Sequence, residues 1–226
     1  MTQRLDKAIR DNVELCTAVC RAHGIASREA DGVWRTLSPA PPYYPDAITV
    51  ESKPSSEHAA AVLDEIGGAS IKDSFATLDL TTYGFDLLFR AEWIWCEPGA
   101  GGGQSNLEWL TITDPADFAA WRTAHGSAES ILPALFAEPG ITVLGGSSPG
   151  TFVGALISTL AGVVGVSNVF ATGVATAEAW RELVAYVLAQ WPGMPIVGYE
   201  QGPDLAAAID AGFEPIGPLQ VWLRHV

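Results

Sequence analysis

The sequence predicts an α/β (α+β) fold, a mixed sheet with flanking helices. Three observations carry this. From Leu107 onward, segments of strand and helix character alternate. Thr151 to Thr176 holds no charged residue, is rich in β-branched side chains and breaks at Ala161-Gly162, as two buried paired strands would. Before Leu107, an amphipathic helix leads into a shorter helix and several strands.

In chain order, Leu5, Ile9, Val13, Cys16 and Cys20 recur at three- and four-residue steps, which predicts a helix over Thr2–Gly24 with Gly24 as its stop. Four prolines make Ser38–Pro45 a loop, with Tyr43 and Tyr44 inside it as a seal between the two halves. Ala47–Glu51 is a short strand. Ser55-Ser56-Glu57 caps a helix running to Ile66, and Gly67-Gly68 ends it. Ser70–Cys96 holds two or three strands with a turn at Tyr83-Gly84. Leu107–Ile112 is a strand. Asp114 caps a helix with Pro115 at its first position, continuing to Ala124. Ala128–Ala137 is a second short helix, Ile141–Leu144 a strand and Gly145–Gly150 a turn. Phe152–Leu160 and Val163–Phe170 form a hairpin. Ala177–Gln190 is a helix whose Trp180, Leu183, Val184, Val187 and Leu188 share a face. Pro195–Tyr199 is a strand, Asp204–Ala211 a helix ended by Gly212, and Phe213–Leu223 the last one or two strands.

The 226 residues are 48% hydrophobic and 17% charged, which is a globular and not a disordered balance. A net charge of -14 opposes phosphate backbones and anionic lipid heads, so neither nucleic acid nor a membrane surface is an expected partner. A cationic small molecule such as an amine is compatible with it. Three cysteines form no disulfide framework, and Met1–Arg10 lacks an apolar signal core, so a cytoplasmic setting is expected. The run Gly99-Ala100-Gly101-Gly102-Gly103 marks the clearest boundary. It divides a region 1–98, a linker 99–106 and a region 107–226, and only three of the twelve basic residues, Arg122, Arg181 and Arg224, follow it.

The second region reads β-α-α-β-β-β-α-β-α-β and closes on Gly212-Phe213-Glu214-Pro215-Ile216-Gly217. That order and that GF-x-x-x-G pattern resemble the GNAT acyltransferases. The first region, with its own strand, helix and strands, reads as a partial copy. The resemblance implies acyl-CoA-dependent N-acyl transfer, with acetyl-CoA held where the fourth strand splays from the fifth and a small amine as acceptor. It places Val163–Phe170 as the splayed strand, with Asn168 and the backbone of Val169 and Phe170 beside the thioester. The turn that follows, with Gly173, Ala175, Thr176 and Arg181, falls to the cofactor's diphosphate at a helix N-terminus. The sequence departs from the family here. The family's R/Q-x-x-G-x-G/A glycines would fall near Ala177 and Glu178 to Trp180, where none stands, and Glu178 would repel a diphosphate. Ala208 stands where many members carry the tyrosine that protonates the thiolate. Tyr199 is the nearest phenol, and Glu200 beside it is the candidate general base. The alternative is a GNAT-like protein without catalysis that binds a small ligand or a protein partner.

Other polar residues carry competing readings. Glu200 solvated and Tyr199 packed in the core is the bland alternative to a site. Ser167 and Asn168 in an apolar strand need partners, either a ligand or nearby backbone. Cys16, Cys20 and His23 read as core, so no metal site is expected. His125 reads as a charged helix cap. Lys72-Asp73 reads as an exposed edge pair, with a place in the groove between the halves as the other choice.

Overall fold

The computed structural model describes residues 3–100, 103–127 and 129–225. Thr2 of the first expected helix, Gly101 and Gly102 of the glycine run, and Ala128 of the short helix lie outside the described residues. In order, the chain forms α1 (Gln3–Ala22), β1 (Ser27–Ala30), β2 (Val33–Thr36), β3 (Ala47–Thr49), α2 (Ser56–Ile66), β4 (Ser70–Asp73), β5 (Phe85–Cys96), β6 (Glu108–Thr111) and α3 (Pro115–His125). It continues through β7 (Ile141–Ser148), β8 (Thr151–Ser158), β9 (Val164–Thr172), α4 (Thr176–Gln190), β10 (Ile196–Glu200), α5 (Gly202–Asp210) and β11 (Glu214–Arg224).

The local signals act as expected. Gly24 adopts φ 73 after α1. Ser55 caps α2 by accepting from the His58 amide, and Gly67 closes it at φ 63. Asp114 caps α3 by accepting from Ala116 and Asp117 at 2.8 and 3.2 Å. Asp114→Ala should lower stability by about 1 kcal/mol, read as a shifted urea midpoint at constant slope.

The described strands make one 11-stranded mixed sheet in the order β1-β2-β3-β4-β11-β5-β10-β9-β8-β7-β6. Strands from before and after the glycine run alternate at its centre, where β5 pairs with both β10 and β11. On one face α1 covers Trp34, Ile48, Trp93, Val197 and Leu219, and meets α3 over Phe118, Trp121 and Leu156. On the other face α4 packs Trp180, Leu183 and Val187 against Ile94, Val164 and Ile196, joined by Ala207 and Ala208 of α5. Helix α2 sits over Ala47 and Ile71 at the β3–β4 end. The apolar segment Thr151–Thr176 is a strand pair and the start of α4, and no described helix is long and apolar enough to cross a membrane.

Three local expectations are corrected, and one hairpin, β1–β2 before the proline loop, is unforeseen. The short helix is only a 3-10 turn, Pro133–Ala137, because Pro133 opens and Pro139 closes a stretch too short to nucleate an α-helix. Gly145 and Gly146 extend β7 and do not turn it, since the rings of Phe152 and Trp109 occupy the space a side chain would need. Residues Lys72 and Asp73 are no edge pair: β4 is flanked by β3 and β11, and the two are 3% and 0% exposed.

Candidate functional site

The centre of the sheet opens between two strands. Strand β10 pairs in parallel with β9 only at Ile196↔Val164 and Val197↔Gly165. Beyond these pairs β9 bulges. Its register against β8 slips between Phe170↔Gly154 and Ser167↔Leu156, and Asn168 sits at φ 52. A bulge leaves one residue out of the ladder and turns the strand away. Gly198 permits the last close approach, since a Cβ there would lie 2.8 Å from the Val166 carbonyl oxygen. Asn168 tolerates the left-handed conformation, and its Nδ2 donates to Ser167 Oγ at 3.1 Å. The two polar residues of this strand therefore satisfy one another in part.

Under α1, at this opening, lies a cavity of about 270 Å³. Helix α1 contributes Ala8, Asp11, Asn12, Leu15 and Cys16, which follow the helical repeat along one side. The proline loop contributes Tyr44, β4 Lys72, β5 Trp93, β9 Ser167, Asn168 and Val169, and β10 Tyr199 and Glu200. Tyr44 is half-buried with its hydroxyl beside the Asn168 amide, and desolvation of that hydroxyl pushes its phenol up, whereas Tyr43 is 86% exposed. Lys72 Nζ donates to Asn12 Oδ1 at 2.8 Å and sits 4.1 Å over the Tyr199 ring, which meets Trp93 edge-on at 5.5 Å. The groove placement, and not the edge, holds for Lys72.

Two carboxyls in the wall carry raised proton affinity. Burial, reinforced by the charge of Asp204, pushes Glu200 up to about 8. Burial pushes Asp11 up to about 6, opposed by the Ser158 hydroxyl at 2.6 Å and the amides of Leu160 and Ala161. Burial also raises the Cys16 thiol, so it is a poor thiolate.

Of the residues singled out from the sequence, the cavity brings together Glu200, Tyr199, Asn168 and Val169 with Ser167, Lys72, Cys16, Tyr43 and Tyr44. The remaining ones face other surroundings. The Phe170 ring turns to Trp121 and His125, both at 5.2 Å. Gly173 adopts φ 73 in the turn after β9, where a Cβ would meet the Gly150 carbonyl oxygen at 1.9 Å. Ala175 is the N-cap of α4 and makes no side-chain bond there; Thr176 follows it, and both are exposed. Arg181 is exposed, and its Nε donates to its own helix at Ala177 O, 3.2 Å away. Trp180 turns inward against Phe213 at 5.6 Å, so it does not obstruct the start of α4. Cys16 and Cys20 are buried core, while His23 Nε2 meets the Ser130 carbonyl. His125 is corrected: burial lowers its proton affinity, which disfavours the charged cap.

Sequence reasoning missed Asp11 and Asn12. The signal was present, because they place two polar residues at the three- and four-residue steps between Ala8 and the apolar Leu15 and Cys16.

No family model matches the chain, and no curated protein matches it. Its fold is similar to that of a functionally unknown conserved protein from Staphylococcus epidermidis, with a TM-score of 0.57 and 9% identity over 80% of this chain and 84% of that one. It is also similar to a protein of the GNAT acetyltransferase family from Novosphingobium aromaticivorans, with a TM-score of 0.56 and 12% identity over 100% of both chains. The latter likeness takes in the residues before the glycine run as well as those after it. At such identities the likeness is one of fold: the chain has a GNAT-like α+β fold, a mixed sheet with flanking helices.

Proposed function

We propose that this protein transfers an acyl group from an acyl-CoA to a small amine, with Glu200 as the general base. The observation that carries the reading is the parting of β9 from β10 at a cavity whose wall holds a carboxyl raised to about 8. The opening fits the arm of an acyl-CoA, since β9 beyond Val166 has no parallel partner for its backbone. No side chain caps α4, and with the Glu178 and Ala179 amides bonded to the Ala175 carbonyl, those of Thr176 and Ala177 are left to a diphosphate. Acyl-CoA would supply an activated thioester there. Glu200 takes the proton that the amine nitrogen sheds as the N–C bond forms and the C–S bond breaks. A base of this strength is matched to an amine near neutral pH. With alanine at 208, water supplies the proton to the departing thiolate.

A second reading keeps the cavity and discards the acyl-CoA, leaving a GNAT-like protein that binds a small ligand. The exposed Glu178 in the first turn of α4 and the commitment of Arg181 to its own helix favour it. Calorimetric titration with acetyl-CoA separates the two. Acyl transfer expects a dissociation constant in the micromolar range and amine-dependent thiol release. No heat at millimolar acetyl-CoA leaves only the second reading.

A further inference from the structure

Lys72 is 3% exposed and lines the cavity beneath α1. An ammonium carries three donors. One goes to Asn12 Oδ1 at 2.8 Å, and the ring of Tyr199 covers the group from 4.1 Å. Among the described residues, no carboxylate forms an ion pair with it. The adjacent Asp73 is committed elsewhere, accepting from the amides of Phe75 and Leu78 and from Thr49 Oγ1. Asp46 is likewise engaged by the amides of Ala40, Ala69 and Ser70. Removing an ammonium from water costs several kcal/mol, and one amide oxygen with one aromatic face offsets only part of that. An apolar residue of the same length would pack here without that cost. A buried cation with spare donors aimed into a cavity is chemistry that waits for an anion.

We infer that Lys72 is the seat for a carboxylate on the molecule that fills this cavity. The identity of that molecule as acceptor or acyl donor rests on the acyl-transfer reading; the carboxylate itself does not. A carboxylate on the amine acceptor and one on the acyl group present the same chemistry to Nζ. In either place, a charge-assisted hydrogen bond to Nζ replaces the missing counter-charge. Asn12 holds the ammonium in position from α1, and Tyr199 holds it from β10.

Paired titrations by calorimetry test the assignment. In the first arm the probes are L-alanine against ethylamine, L-valine against isobutylamine, and L-phenylalanine against phenethylamine, each pair differing by the carboxylate. In the second they are succinyl-CoA against butyryl-CoA. The expected result is that the carboxylate-bearing member of at least one arm binds about 10- to 100-fold tighter, and that Lys72→Met brings the ratio close to one. Preference in the first arm places the carboxylate on the acceptor, and in the second on the acyl group. Equal affinities in both arms, no binding by any carboxylate-bearing probe, or a preference that survives Lys72→Met overturns the assignment. Lys72→Gln replaces the methionine variant if that one fails to fold, and the wild-type ratios decide against the assignment without any variant. Amino-acid preference without acetyl-CoA binding would end the acyl-transfer reading and leave Lys72 in its role. Acetyl-CoA turnover with equal affinities would do the reverse.

Discussion

Glu200→Gln is expected to lower kcat/KM for acyl transfer by about 100-fold or more and, in the same protein, to raise stability at alkaline pH. The two effects share a cause. In the folded chain the Glu200 carboxyl is raised from 4.5 to about 8 by burial and by Asp204. A group raised on folding contributes stability that is complete below its unfolded value of about 4.5 and is lost as pH climbs through about 8. Glutamine stays neutral throughout. The melting temperatures of variant and wild type should therefore coincide near pH 4 and diverge up to about pH 8. Above that the variant should hold an advantage on the order of 5 kcal/mol, or about ten degrees or more. Activity should show the mirror image. Wild-type kcat/KM rises as Glu200 ionises through about pH 8, and the variant lacks that limb. Unchanged activity in the variant would remove Glu200 from the chemistry. Coincident melting curves at pH 9 would show the carboxyl to be well solvated.

Gly165→Ala should cost about 3 kcal/mol or more. Gly165 holds the last parallel pair before the sheet opens. A Cβ there would lie 1.8 Å from Asp11 Oδ2 and 2.2 Å from Ser158 Oγ. The methyl must displace the carboxyl that docks α1 onto β8, so overpacking adds to the loss of a hydrogen bond to a buried acid. Urea unfolding of Gly165→Ala beside Gly103→Ala gives the comparison, since nothing lies within 4 Å of a Cβ at Gly103. That control should shift stability by no more than about 0.5 kcal/mol. Equal midpoints for the two variants would refute the close docking of Asp11.

Elements fixed by local chemistry were legible in the sequence. The caps at Ser55 and Asp114, the stop at Gly67 and the paired strands of Thr151–Thr176 all follow from short-range rules. What escaped was set by distant neighbours. Ser27–Ala30 is a mostly exposed outer strand with no apolar alternation to reveal it. Gly145 and Gly146 look like a turn until the rings of Phe152 and Trp109 are seen lying across them. Lys72 follows the usual preference of lysine for the surface only if β4 is an outer strand, and β11 arrives from the far end of the sequence to cover it. In the site, Glu200 and Tyr199 could be singled out by their place at a strand end. The partners that give them meaning, Asp11, Asn12 and Lys72, come from α1 and β4, more than a hundred residues away.

That late strand has a kinetic consequence. Strand β11 lies between β4 and β5, bonding to both, although it follows every other described strand in the sequence. Until it is in place, β1–β4 and β5–β10 are two separate ribbons, each with a raw edge of unpaired amides and carbonyls. A nascent chain therefore emerges from the ribosome with its future centre open, and no amount of early collapse can close it. Such distant pairing makes folding slow and leaves the waiting edges as the points where the chain is most prone to join with its neighbours.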